Sequence, residues 1–114
     1  MIILGDIITL KRNNDFRRLY SRGRSYGSSV VVIYVMKNRS NDVRVGITTS
    51  KKIGKAVLRN RSRRIIREAY RMIADDVRQG VDLVFVARGK TPFVSSNDIL
   101  RDMKKELKEA GVLQ

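Results

Sequence analysis

Residues 51 to 71 read KKIGKAVLRNRSRRIIREAYR, and their reading decides both the fold and the working surface of this chain. Nine of these residues are Lys or Arg and one, Glu68, is acidic, a net +8 out of the chain's +14. A solvated surface helix mixes signs so that charges one turn apart pair. Here they cannot, and they repel unless a polyanion neutralises them. No Gly or Pro interrupts Ala56 to Ile73, which predicts one long helix after a turn at Gly54. At about 100° per residue, Leu58, Ser62, Ile65, Ile66, Ala69, Met72 and Ile73 share one arc. Arg59, Asn60, Arg63, Arg64, Arg67 and Arg71 fall outside it, with Arg61 at its fringe. The helix therefore buries one stripe and holds a fan of guanidiniums and one amide in solvent. Planar guanidinium forks bind phosphate oxygens in pairs and stack on bases, which suits RNA better than point charges. Lys51, Lys52 and Lys55 flank the turn, within reach of phosphates.

On either side of this helix the sequence reads as strand. Ser29 to Lys37, SVVVIYVMK, is rich in β-branched residues. Val30, Val32, Tyr34 and Met36 alternate with Val31, Ile33 and Val35, so both faces are apolar and both require cover. Asn38 to Asp42, NRSND, is turn chemistry that predicts a hairpin to a second strand, Val43 to Ser50. Gly46 within that strand marks a bulge or a close approach. Gln79-Gly80 closes the basic helix, and Val81 to Arg88, VDLVFVAR, is a third strand. Upstream, Asn13 or Asn14 caps a short helix, DFRRLYSR, that ends at Gly23. It carries Phe16, Leu19 and Tyr20 on one face among Arg17, Arg18 and Arg22, and residues 24 to 26 could add an edge strand. Downstream, Ser95 with Asp98, or Ser96, caps a final helix to about Ala110 with a stripe of Ile99, Leu100, Met103 and Leu107. Gly111 stops it. The order α-β-β-(β)-α-β-α makes an α+β sandwich of a mixed three- to four-stranded sheet and three helices. Its βαβ connection around the basic helix would ordinarily be right-handed.

A length of 114 residues predicts a single RNA-binding domain over 1–114, with 1–10 as a partly ordered lead, and an apolar fraction of 42% argues against disorder. The net charge of +14 and a pI near 11 favour an acidic polymer as partner, either nucleic acid or an anionic membrane. No apolar run approaches the roughly 18 residues of a spanning helix. MIILGDIITL contains Asp6 and lacks both a basic lead and a small-residue cleavage site, so it does not read as a signal peptide. With no Cys and no His, disulfides, thiolate chemistry and ordinary zinc sites are excluded; the same composition is compatible with a cytoplasmic protein. General acid–base catalysis needs a tuned His or paired carboxylates, and the eleven acids are scattered, so no catalytic residue and no metal ligand are assigned. Asp75-Asp76 reads as helix-end solvation rather than a Mg²⁺ site. Phe16, Tyr20 and Tyr34, ringed by Arg, form a stacking platform for single-stranded nucleic acid, with Leu19, Tyr70 and Phe85 left to the core. A general basic RNA-binding or ribosome-associated protein shares the charge. A helix-turn-helix DNA binder would not carry these strands, and a membrane-surface helix would need exposed aromatic anchors on its apolar face.

Ser50-Lys51-Lys52-Ile53-Gly54, then Arg59-Asn60-Arg61, then Arg63-Arg64-Ile65-Ile66-Arg67 resemble the signature of the protein subunit of bacterial ribonuclease P. The likeness runs from about residue 10 to 110, through Asn14-Asp15-Phe16, Tyr20, Gly23, Tyr34, Arg44-Val45-Gly46-Ile47 and Asp82 to Arg88. It implies a left-handed crossover in place of the ordinary one. It also implies a monomer that joins a large catalytic RNA one-to-one to remove the 5′ leader from precursor tRNA, with Mg²⁺ and the chemistry held by the RNA and no cofactor bound by the protein. By the same resemblance, Lys51, Lys52, Lys55, Arg59, Asn60, Arg61, Arg63, Arg64, Arg67 and Arg71 contact the catalytic RNA. Phe16, Tyr20, Val32, Tyr34 and Thr48, edged by Lys52, Arg63, Arg64 and Arg67, form the cleft for the leader. The chain departs from the family pattern in three places. MIILGDIITL replaces a basic tail, Tyr20 stands where Phe is common, and Gly27-Ser28-Ser29-Val30 lacks an Asn-Arg pair.

Overall fold

The computed structural model describes residues 8–114. Its elements are β1 (Ile8–Thr9), α1 (Asn13–Arg22), β2 (Arg24–Gly27), β3 (Val31–Lys37), β4 (Val43–Thr48), α2 (Ala56–Ile73), β5 (Val81–Ala87) and α3 (Ser96–Glu109). The strands form one sheet of five in the order β1-β4-β5-β3-β2. Helix α1 lies on one face, and α2 and α3 pack on the other.

Two expectations change here. The sheet has five strands rather than three or four, because β2 forms at one edge and residues 8–9 of the expected lead form β1 at the other. Residues 1–7 of that lead lie outside the described residues. Nor do β3 and β4 form a hairpin: β5 inserts between them, antiparallel to β3 and parallel to β4. The physical reason is burial. β5 is the most continuously buried strand of the chain and belongs at the centre of the sheet, where both faces are covered. The turn chemistry of Asn38 serves another end: its side chain bonds Asp42 O at 3.1 Å and Asp82 Oδ1 at 2.9 Å.

Period-two alternation sorts the two faces. Val31, Ile33, Val35, Leu83 and Phe85 point into the core under α2 and α3. Val32, Tyr34 and Met36 point to the α1 face and stay only half-buried. A helix of ten residues is about 15 Å long, too short to cover that face, so a strip of sheet is left open. Leu19 is the fully buried anchor of α1. The helix starts at Asn13 with Arg12 as an N-cap that makes no side-chain bond, rather than with an Asn cap.

Helix α2 spans the predicted residues, with Ser62, Ile65, Ile66, Ala69, Tyr70 and Ile73 buried. Met72, expected in that stripe, is 57% exposed. The stripe is rotated toward Tyr70, whose ring centroid sits 5.4 Å from that of Phe85. Burial pushes the Tyr70 hydroxyl pKa up to about 12. The helix ends before Gln79-Gly80, in a 3-10 turn at Ala74–Asp76. Helix α3 carries the predicted capping box between Ser95 and Asp98, and these bonds hold the exposed Asp98 carboxyl below its usual range. Gly111, at φ +75°, ends it.

Two buried groups bear on stability. A Cβ built on Gly46 would meet Phe16 Cε1 at 2.6 Å and Cζ at 2.7 Å, so this glycine exists to admit the ring. Gly46→Ala should cost about 1–3 kcal/mol and displace Phe16, readable by urea denaturation and by the Phe16 ring signals in NMR. Glu106 is buried without a well-formed hydrogen bond to either carboxylate oxygen, and burial, then Asp102 and Glu109, pushes its pKa up to about 8 against the smaller opposing pull of Ser28 and Lys105. Between about pH 5 and 8 the unfolded chain ionises Glu106 while the folded chain keeps it protonated, so stability falls as pH rises and levels off above that window. Glu106→Gln should leave stability near pH 5 little changed and raise it by about 1–3 kcal/mol near pH 8, in urea titrations at the two pH values.

Candidate nucleic-acid interface

The open strip on the α1 face is floored by strand register. Val86 pairs with both Val32 and Thr48, and Val84 pairs with both Tyr34 and Gly46. Residues opposite one another share a face, so Val32, Tyr34 and Thr48 lie together on the same side as α1. Along the helix, Phe16 and Tyr20 project to one side of the buried Leu19. The Tyr20 and Tyr34 rings meet edge-to-face with centroids 5.0 Å apart, and the Tyr20 and Thr48 hydroxyls share a 3.1 Å hydrogen bond. Tyr20 remains 43% exposed, leaving ring surface free to stack. Phe16, Tyr20, Val32, Tyr34 and Thr48 are thus brought to one side of the sheet by α1, β3 and β4.

Phe16 links the cleft to the basic helix. With Arg63, Arg67, Ile47 and Tyr70 it lines a cavity of about 290 Å³ that also includes Thr9 and Leu10. Arg63 and Arg67 therefore edge the aromatic side, whereas Lys52 and Arg64 are exposed and line no part of this cavity. Val84, Val86, Thr9 and Leu10 belong to the site without having been singled out. Alternation in 81–88 marks Val84 and Val86 as one face, but only the central position of β5 places them beside Tyr34 and Thr48.

The motif helix is electrostatically open. Among the described residues, none of the nine Lys and Arg of 51–71 lies within 4.0 Å of a carboxylate. Asn60 Oδ1 accepts from Arg63 Nη1 at 3.2 Å, and Gly54 O accepts from Arg59 Nη1 at 3.2 Å, so two arginines are held in place without being neutralised. Lys55 caps α2 with no side-chain bond, no acid stands in the first turn, and Lys51 and Lys52 lie in the preceding 3-10 turn. No acidic side chain of the first turn offsets the positive end of the helix dipole. Arg61, Arg64, Arg67 and Arg71 are exposed beyond it. Such a surface has the charge and donor geometry to bind and orient polyphosphate. Among the described residues, no group of three or more acidic side chains is gathered into a metal site, and no helix is long and apolar enough to cross a membrane.

Comparison with known proteins places the chain in a family. A family model described as Ribonuclease P matches residues 6–111. The ribonuclease P protein component of Clostridium botulinum (strain Loch Maree / Type A3) is 44% identical over 104 residues, 90% of this chain and 94% of the relative. That of Clostridioides difficile (strain 630) is 43% identical, covering 90% of this chain and 91% of its own length. Among solved structures, the Staphylococcus aureus RNase P protein superposes with a TM-score of 0.81 at 33% identity, covering 93% of this chain and 97% of its own. The Thermotoga maritima protein gives 0.78 at 28%, covering 89% and 96%. The chain belongs to the ribonuclease P protein family.

Proposed function

We propose that this chain is a single RNA-binding domain that assembles one-to-one, as a monomer, with a catalytic ribonuclease P RNA in the cytoplasm and aids removal of the 5′ leader from precursor tRNA. Lys51, Lys52, Lys55, Arg59, Asn60, Arg61, Arg63, Arg64, Arg67 and Arg71 bind the catalytic RNA. Phe16, Tyr20, Val32, Tyr34 and Thr48, with Arg63 and Arg67 at the rim and Lys52 and Arg64 exposed beyond it, hold the leader in extended form. The observation that carries this reading is the Tyr20–Tyr34 pair on an open strip of sheet, 5.0 Å between centroids, beside a helix whose cations make no ion pair among the described residues. Aromatic faces within a cationic rim bind single strands by stacking and phosphate contact. Mg²⁺ and the hydrolytic step belong to the RNA; the protein contributes binding and orientation and no catalytic group. A general RNA binder would share the fan of arginines but would have no need to separate leader-bearing from leaderless tRNA.

The reconstituted test compares RNA alone, protein alone and the mixture at low Mg²⁺ with labelled precursor tRNA. Release of a 5′ leader only by the mixture is the expected result; silence with several bacterial RNAs would reduce the reading to general RNA binding. Arg64→Ala should lower the slope of log affinity against log salt for the catalytic RNA by roughly 0.7–0.9, since one phosphate contact is lost. Tyr34→Ala should weaken binding of precursor tRNA to the holoenzyme by about 1–3 kcal/mol and spare mature tRNA. An equal loss on both substrates would remove the leader from this cleft.

A further inference from the structure

Positive charge is concentrated twice in this chain. Residues 1–50 carry nine Lys or Arg against three acids, a net +6, whereas residues 72–114 carry seven of each and are neutral. The first concentration is not on the motif helix. At about 100° per residue, Phe16 and Tyr20 project to one side of Leu19, and Asp15, Arg18 and Arg22 project to the other. Helix α1 thus divides its sheet face in two. The cleft lies on the aromatic side. On the other side lies the row Met36–Asp82–Arg44, where a groove of about 840 Å³ opens between Arg18, Arg22, Lys37, Arg39 and Arg44. Arg22, Met36 and Lys37 are shared with an adjoining groove of about 600 Å³ that continues past Arg24 and Tyr26 to Arg78. The two make one cationic trough that turns the edge of the sheet.

Its floor is fixed before any ligand arrives. Asp82, 1% exposed, accepts from Arg44 Nε at 2.8 Å and Nη2 at 2.6 Å, and from Asn38 Nδ2 at 2.9 Å. The hydrogen bonds to Asp82 raise the Arg44 pKa, so this guanidinium is charged at every relevant pH. Its outer edge stays accessible, with the side chain 32% exposed. Asp82 is thereby neutralised. Asp42 remains at the groove, and the contact from Arg18 to Asp15 is long at 3.9 Å. A single small anion wants one tight cradle. Here the cations are strung along an open trough with a half-buried tyrosine partway, the pattern that fits a polymer of phosphates.

We propose that this trough is a second RNA-binding site, which takes the phosphodiester backbone of a strand other than the one on the motif helix and in the cleft. The proposal rests on the RNA-binding reading above. It is tested in the assembled ribonucleoprotein with two probes, a bacterial ribonuclease P RNA and precursor tRNA. Arg22 and Arg39 are exposed, so the Arg22→Ala/Arg39→Ala double variant should fold and melt as the parent does. It should lower the salt slope of binding by roughly 1.5 for one of the two RNAs, at 0.7–0.9 per lost contact. Because the chain has no Cys, Ser40→Cys provides a unique attachment point for a photo-crosslinker in the trough, and Glu68→Cys provides one on α2. Crosslinks from the two positions should map to different RNA segments. An unchanged slope for both RNAs, while Arg64→Ala still lowers its own, would overturn the trough and leave the motif helix standing. Crosslinks from Ser40→Cys that coincide with those from Glu68→Cys would overturn the claim of a separate strand. If Arg64→Ala were silent as well, both readings would fall together.

Discussion

The buried carboxylate of Asp82 holds the sheet in register. It lies on the central strand and is bonded to Arg44 on one neighbour and to Asn38 at the end of the other. Losing one partner would leave a charge stranded in a site that water does not reach, so the arrangement is strongly specified. A slip of one residue would turn Asp82 into the apolar core beneath α2 and α3 and turn Leu83 out of it. The same register lines up Val32 with Val86 and Thr48, and Tyr34 with Val84 and Gly46. Alignment of the cleft floor thus follows from a polar contact at the opposite end of the same sheet face.

Chain length divides the labour between the two faces. On one face, α2 and α3 supply enough apolar stripe to seal Val31, Ile33, Val35, Leu83 and Phe85 from solvent. On the other, short α1 touches down through Leu19 and leaves sheet uncovered on both flanks. One flank is aromatic and the other cationic because Phe16 and Tyr20 fall on one side of that anchor and Arg18 and Arg22 on the other. A longer helix would bury more area and cover both the aromatic strip and the cationic groove. Gly46 completes the arrangement by letting the Phe16 ring sit against the sheet, between the cleft and the arginines of α2.

Much of this was legible in the sequence, for local reasons. The limits of α2 follow from an uninterrupted 18-residue amphipathic run, and the α3 cap from Ser95 and Asp98 spaced three apart. The shared face of Val32 and Tyr34 follows from strand periodicity. What escaped depends on contacts distant along the chain. The NRSND segment carries every mark of a hairpin turn, yet it is a crossover because the most apolar strand, encoded some forty residues later, takes the central place. Ile8–Thr9 is too short to announce itself and exists only through its pairing with Arg44 and Val45. Met72 sits on the apolar arc of a helical projection, but the ring of Tyr70 against Phe85 sets how the helix is turned. Glu106 is one of several acids on α3 in the sequence, and its burial is visible only once β2 and β3 lie beneath that helix.

The acid-free opening turn of α2 has a consequence for how much folded protein persists. An anion that binds the folded chain and not the unfolded one stabilises it by about 2.7 kcal/mol when present at a hundred times its dissociation constant. A chain without a polyanion forgoes that increment and retains the mutual repulsion of nine cations. Unaccompanied copies are therefore the least stable of the population and open most often to proteases. On the RNA-binding reading proposed above, the charge on one helix thus ties the persistence of the folded chain to occupancy by its polyanion.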